Sequence, residues 1–243
     1  MGRSLTEFIE PQLLEDYKNV RTRNYEYYVC DFETTVFKDQ TYTEVWAAAL
    51  VKLWTEDVEI YQSISEFLDG VFDLGCNVIG YFHNLKFDGN FIIDYLLRNN
   101  YKWNRTSERN MNNNDFKCAI SDRGAWYTIT IKHKNNIIEF RDSLKLLPFS
   151  VERIGKSFKT EHKKLNMEYE GFRFAGCVIT PEEREYIAND VLVVKEALEI
   201  MFERGHQKLT IGSCCLEEFK QTYDKQEYRT KIIGCHWLKC SRI

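Results

Sequence analysis

Three apolar stretches of this chain end on, or enclose, an aspartate, and that combination restricts the folds open to it. In YEYYVCDFE (25–33) two acids close an aromatic, β-prone run. In NVIGYFHNLKFD (77–88) an acid follows a short apolar strand, and in YIANDVLVV (186–194) one sits among valines. A carboxylate embedded in apolar sequence is costly unless it is paired or coordinated. A fold that gathers these acids from strand ends and a helix removes that cost.

The spacing says which acids can meet. Asp31 and Glu33 are two residues apart on a predicted strand, so they share a sheet face and could touch one cation. Taken alone, a DxE pattern more often faces solvent. Asp88 stands at a strand-to-helix junction, where loops project functional groups, although an aspartate before an amphipathic helix is more commonly its cap. Tyr186 and Asp190 lie four residues apart in a predicted helix, one turn apart on the same face, with an exposed stripe as the ordinary alternative. Together the four carboxylates supply oxygen ligands suited to a pair of Mg²⁺ or Mn²⁺ ions. Two such ions suit phosphodiester hydrolysis, and the Tyr186 hydroxyl could orient the attacking water.

The rest of the chain reads as α/β. Strands are predicted at 25–32, 45–54, 58–63, 77–82, 125–132 and 136–143, and helices at 65–74, capped by Ser65, and at 89–99. Thr180 and Pro181 start a long helix that runs to about Phe202. The polar, Asn-rich segment 104–115 is expected to be an exposed loop in which an insertion harms little. Strands first, then alternating helices, imply a mixed sheet with flanking helices.

A net charge of −4 excludes coating of nucleic acid by bulk charge, so any such binding is local. The eight cysteines form no CxxC pair and no regular framework, which fits reduced thiols in a cytoplasm. Cys214, Cys215, Cys235, His236 and Cys240 lack the spacing of a zinc site. The first twenty residues carry acids throughout and do not form a leader, and no apolar run reaches the roughly 18 residues of a membrane span.

The motifs also carry a resemblance. DFETT (31–35), YFHNLKFDG (81–89) followed by FII, and the Tyr186-to-Asp190 helix resemble, in order and spacing, the proofreading domain of protein-primed family B DNA polymerases, the replicases of phages and linear plasmids. RDSLKLLPF (141–149), KKLNMEY (163–169) and ITPEEREYIANDV (179–191) continue the likeness over about residues 25–220. The resemblance implies an RNase H-like exonuclease fold with Asp31, Glu33, Asp88 and Asp190 as metal ligands and Tyr186 and Lys164 assisting catalysis. It further implies that Thr34, Asn84, Phe87, Ser143, Leu144 and Tyr169 contact a single-stranded 3′ end. Related exonucleases that use histidine to orient water place it five residues before the last aspartate; Glu185 stands there, so the tyrosine subclass is indicated. His83 is expected to be structural.

The expected organisation is an N-terminal extension at 1–24, an exonuclease domain at 25–205, and a linker and tail at 206–243 where a polymerase domain would begin. The family's Dx₂SLYP and YxDTD polymerase motifs do not occur, so this chain alone is not expected to add nucleotides. The expected partners are a single-stranded DNA 3′ end, a terminal protein and a polymerase part encoded elsewhere, in a host cell carrying a phage, prophage or plasmid. A catalytically idle remnant that only binds single-stranded DNA or terminal protein is the alternative.

Overall fold

The structure, a computed structural model, describes residues 23–35, 41–105, 108–167 and 172–223. Eight strands form one mixed sheet: β1 (Tyr25–Thr34), β2 (Val45–Lys52), β3 (Val58–Tyr61), β4 (Asn77–Phe82), β5 (Lys102–Trp103), β6 (Asp115–Ile120), β7 (Trp126–His133) and β8 (Asn136–Asp142). Their order across the sheet is β3-β2-β1-β4-β8-β7-β6-β5. β1, β4 and β8 run parallel at the centre, and antiparallel strands extend the sheet through β2 on one side and β7 on the other. Among the described residues five helices join them: α1 (Ile64–Asp73), α2 (Leu85–Arg98), α3 (Val151–Phe158), α4 (Pro181–Glu203) and α5 (Ile211–Gln221).

Alternation along β1 and β2 builds two cores. Val29, Ala47 and Ala49 pack with Val191, Val194 and Leu198 of α4, whereas Cys30, Phe32 and Ala48 pack with Phe67 of α1 and Ile92 of α2. The sheet is therefore covered on both faces, which is why its central strands read as nearly continuous apolar runs. Each fully buried Val or Leu on α4 contributes about 1.5–3 kcal/mol, so the helix is held to the sheet far more firmly than by its ends. α4 crosses β1 and β2, and opposite Asp31 and Glu33 the partner strand carries only Ala49 and Ala47. Those small side chains leave room for the helix next to the two acids.

The α/β expectation is met, with local corrections. α1 is capped by Ser63, whose hydroxyl accepts from the Glu66 amide at 3.2 Å, and not by Ser65. α2 begins four residues before the predicted start, at Leu85, because Asn84 turns the chain with φ +79° and lets the helix follow at once. The Asn-rich segment is not a free loop: Met111 is buried, Asp115 opens β6, and the Asp115 carboxylate accepts from the Asn104 amide and the Asn112 N–H. Sequence reading also passed over α3, although Val151, Ile154 and Phe158 have helical spacing behind the Ser150 cap, and α5, which lies in the segment taken as a linker. Cys235, His236 and Cys240 lie outside the described residues; Cys214 and Cys215 are free thiols. No helix among the described residues is long and apolar enough to cross a membrane.

Candidate active site

At its C-terminal end β1 delivers Asp31 and Glu33 from one face, as the two-residue spacing requires. A break in register between Glu33 and Thr34 ends the regular pairing with β2 immediately beyond the acids, leaving Thr34 half-buried beside them. α4 brings Asp190 to the same place. Its start is fixed by a complete capping box, in which Thr180 accepts from the Glu183 amide and Glu183 accepts from the Thr180 amide. Arg173 clasps Glu183 and stacks over Trp46, tying the helix start to β2. The result is a trio: oxygens of Asp31, Glu33 and Asp190 all lie within 4.8 Å of one another.

Asp88 completes the charge but not the trio. It lies in the first turn of α2, only 3% exposed, where free helix N–H groups favour its carboxylate. Gly89 beside it is required by packing, since a Cβ there would meet Trp126 of β7 at 2.7 Å. Burial pushes the Asp88 carboxyl up to about 8, against its own backbone N–H and with help from the Glu33 and Asp142 charges. Asp31 is raised well above the carboxylate range by burial and then by the charges of Asp88, Glu33 and Asp190. Asp31 thus feels the charge of each of the other three predicted ligands.

The basic and aromatic groups of the site come from elsewhere. Lys164 donates to Asp190 Oδ2 and lies 3.4 Å from the Tyr186 hydroxyl, with its ammonium 5.2 Å from the centre of that ring. Burial works to lower the Lys164 pKa, but the bond to Asp190 and its charge outweigh it and raise the value. Burial raises Asp190 despite Lys164, and burial with the charges of Asp190 and Glu33 raises Tyr186. The other Asp190 oxygen, Oδ1, is buried with no hydrogen-bond partner. Between these groups lies a cavity of about 150 Å³ whose lining includes Val29, Asp31, His83, Val151, Lys164 and Asp190.

Two residues here do the positioning, and of these Asp142 was not singled out by the sequence. Asp142, at the end of β8, accepts from the backbone N–H groups of Asn84, Leu85 and Leu144 at 3.1–3.4 Å and pairs with Lys145 at 3.0 Å. It thereby holds the start of α2, and with it Asp88, against the turn carrying Ser143 and Leu144. Its signal was an aspartate directly ahead of the turn residues in RDSLK. His83 spans Ser143 Oγ at 2.9 Å and the Phe149 carbonyl at 2.7 Å, in keeping with a structural role, yet it also lines the cavity.

The expected DNA contacts divide. Asn84 is exposed, Phe87 is 50% exposed beside Phe91, and Leu144 is half-buried. Ser143 is 0% exposed, and its hydroxyl lies 3.1 Å from the Phe82 carbonyl as well as near His83. In this fold its side chain faces inward and supports the turn. Tyr169 lies outside the described residues.

Comparison with known proteins agrees with this geometry. Residues 76–178 match the family described as DNA polymerase type B, organellar and viral. The chain is 38% identical over 209 residues to the DNA polymerase of Bacillus phage phi29, covering 83% of this chain and 35% of that protein. It is 32% identical over 217 residues to the DNA polymerase of Streptococcus phage Cp-1, again covering 83% and 35%. The solved structure of phi29 DNA polymerase complexed with single-stranded DNA superposes with a TM-score of 0.76 at 36% identity, over 86% of this chain and 36% of that one. The chain belongs to the protein-primed family B DNA polymerases, in their exonuclease region. It spans about a third of the length of the family B polymerases it matches, and the sheet with its flanking helices is the RNase H-like fold of that region.

Proposed function

We propose that this chain is a 3′→5′ exonuclease that removes nucleotides from single-stranded DNA ends by two-metal-ion hydrolysis. The observation that carries the reading is the trio of Asp31, Glu33 and Asp190, with Asp88 electrostatically joined to it and a buried Asp190 oxygen left without a donor. Like charges about 4 Å apart near a protein surface repel by about 4 kcal/mol. Lys164 pairs with Asp190, and the all-oxygen donor set of the four carboxylates fits divalent cations.

Asp31, Glu33, Asp88 and Asp190 would hold the ions. When bound, they supply an acidified water and a counter-charge for the leaving 3′ oxygen. The chain's own groups do the rest. The Tyr186 hydroxyl, kept protonated by its raised pKa, holds the water by hydrogen bonding, and Lys164 fixes Asp190 and adds positive charge near the phosphate. Phe87 offers an exposed face for base stacking and Asn84 an amide for sugar or phosphate, while Leu144 and Thr34 border the groove. That phi29 polymerase has been seen with single-stranded DNA supports such a substrate. A terminal protein and a polymerase part are the partners this reading calls for. The idle-remnant alternative would be favoured by a missing ligand, and all four are present.

The test is Mg²⁺-dependent shortening of a 5′-labelled oligonucleotide, with binding measured in Ca²⁺. A ladder that vanishes in the Asp31→Ala, Asp88→Ala double variant is expected. Binding without a ladder would return the protein to the idle-remnant reading.

A further inference from the structure

Lys164 reaches Asp190 from a segment without regular structure, 159–167, that follows α3. Something must hold that segment, because a lysine side chain on a free loop samples many rotamers. The αL turn at Lys159, with φ +56°, and the Thr160 N–H bonded to the Gly155 carbonyl at 3.2 Å bring the chain off α3 toward α4. There the Glu196 carboxylate accepts three bonds from two successive residues. The Glu161 amide donates to Oε2 at 2.5 Å, the His162 amide to Oε1 at 3.2 Å, and His162 Nδ1 to Oε1 at 2.5 Å. A carboxylate can only accept, so the imidazole carries its proton on Nδ1. The Thr160 hydroxyl closes the turn on the His162 carbonyl at 2.7 Å.

We infer that Glu196, with His162, is a positioning residue that clamps the Lys164 segment to α4 so that the Lys164 ammonium meets Asp190 and Tyr186. Two features of the arrangement support a role beyond general stability. Lys164 is two residues from His162, so its Cα lies at most about 7 Å from the clamped one. Glu196 is also on the same helix as Tyr186 and Asp190, so clamp and target keep a fixed relation, with about 1.5 Å of rise per residue between them. Nothing else is bonded to that carboxylate among the described residues except this segment. The inference rests on the exonuclease reading for its catalytic consequence, but the clamp itself can be examined without metal or DNA.

The decisive comparison is Glu196→Ala alone and in a Lys164→Ala background. Misplacing a site group by about 1 Å costs up to about 100-fold. Glu196→Ala is therefore expected to lower kcat by about 10- to 100-fold with KM for the oligonucleotide little changed, and Glu196→Gln, which keeps one acceptor oxygen, by less. Added to Lys164→Ala, the same change is expected to cost less than about twofold, the limit set by independence. In metal-free protein, NMR cross-relaxation between the Lys164 side-chain protons and the Tyr186 ring is expected in the wild type and lost in Glu196→Ala. An unchanged kcat, an equal loss in both backgrounds, or a retained Lys164–Tyr186 contact overturns the clamp. If the wild type does not cleave, the nuclease reading fails and the NMR contact alone decides the clamp. Should Glu196→Ala fail to fold, Glu196→Met, which removes both acceptor oxygens at similar volume, carries the same comparisons, and retention of the contact in it overturns the clamp.

Discussion

Asp142 and Asp190 are buried to nearly the same degree, 3% and 6% exposed, yet they are built for opposite ends. Asp142 is surrounded by donors: three backbone N–H groups and the Lys145 ammonium account for its oxygens. Asp190 has one oxygen on Lys164 and one facing no donor, within reach of two further carboxylates. A buried acid that is satisfied from all sides stabilises a turn. One left short of donors among like charges is held there by the rest of the fold and is available to a ligand. The distinction between scaffold and site thus lies in how completely a polar group is bonded, and burial alone does not reveal it.

The largest effect should come from the cluster of acids to which Asp190 belongs. Replacing Asp31 and Asp88 by asparagine is expected to lower oligonucleotide cleavage by on the order of 10³-fold or more, because the charge that holds the ions is lost. The same variant should unfold at a higher temperature than the wild type in EDTA, since it removes mutual repulsion. A lower melting temperature would break the comparison. At the satisfied end, Asp142→Ala strips a charged acceptor from buried N–H groups, each unmade bond costing about 1–3 kcal/mol. Urea unfolding should show a loss in the upper part of that range, and metal affinity of the remaining folded protein should fall by less than in the Asp31, Asp88 double variant, since Asp142 only supports the turn from which Asp88 projects.

The same contrast separates two expected DNA contacts. Phe87→Ala should weaken oligonucleotide binding in Ca²⁺ by about 1–3 kcal/mol, the worth of one stacked base. Ser143→Ala should instead leave binding near the wild-type value and lower stability by about 1 kcal/mol through its lost hydrogen bond. Equal effects on binding would mean that Ser143 reaches the strand after all.

The last expected effect is one of pH. A carboxyl with a raised folded pKa stabilises below its unfolded value and loses that contribution as pH rises through the folded one. Asp88, at about 8, places that window between roughly pH 4 and 8. Metal-free protein should therefore melt at progressively lower temperature from pH 5 to 8, as followed by circular dichroism. Saturating Mg²⁺ or the Asp88→Asn change should flatten the slope.

The site was largely legible because its residues obey short periods. The two-residue step of Asp31 and Glu33 and the four-residue step of Tyr186 and Asp190 each fix a face without reference to the rest of the chain. Thr180 and Pro181 likewise announced α4 correctly. What escaped depends on distant partners. Asp142 acts through amides at Asn84 and Leu85, and Glu196 through amides at Glu161 and His162, pairings that no local pattern encodes. The Asn-rich segment misled for the same reason, since Asp115 and Met111 are drawn inward by contacts with Asn104 and with Lys132, whose ammonium donates to the Met111 carbonyl. Ser143 was named through the resemblance alone, and its burial follows from how β4 and β8 lie side by side.

The single span of α4 from Pro181 to Glu203 has a consequence for how such a chain can vary. Tyr186, Asp190 and Glu196 are phased on one rod that turns by about 100° per residue, so their intervals act as a ruler. Losing or gaining one residue between Tyr186 and Asp190, or between Asp190 and Glu196, would swing one group a quarter-turn away from its target while leaving every side chain chemically intact. Length changes ahead of Thr180 carry no such phase, because the capping box restarts the count. In this helix, spacing is the inherited quantity, and the residues between the three marks can change only where they keep the apolar face that packs α4 on the sheet.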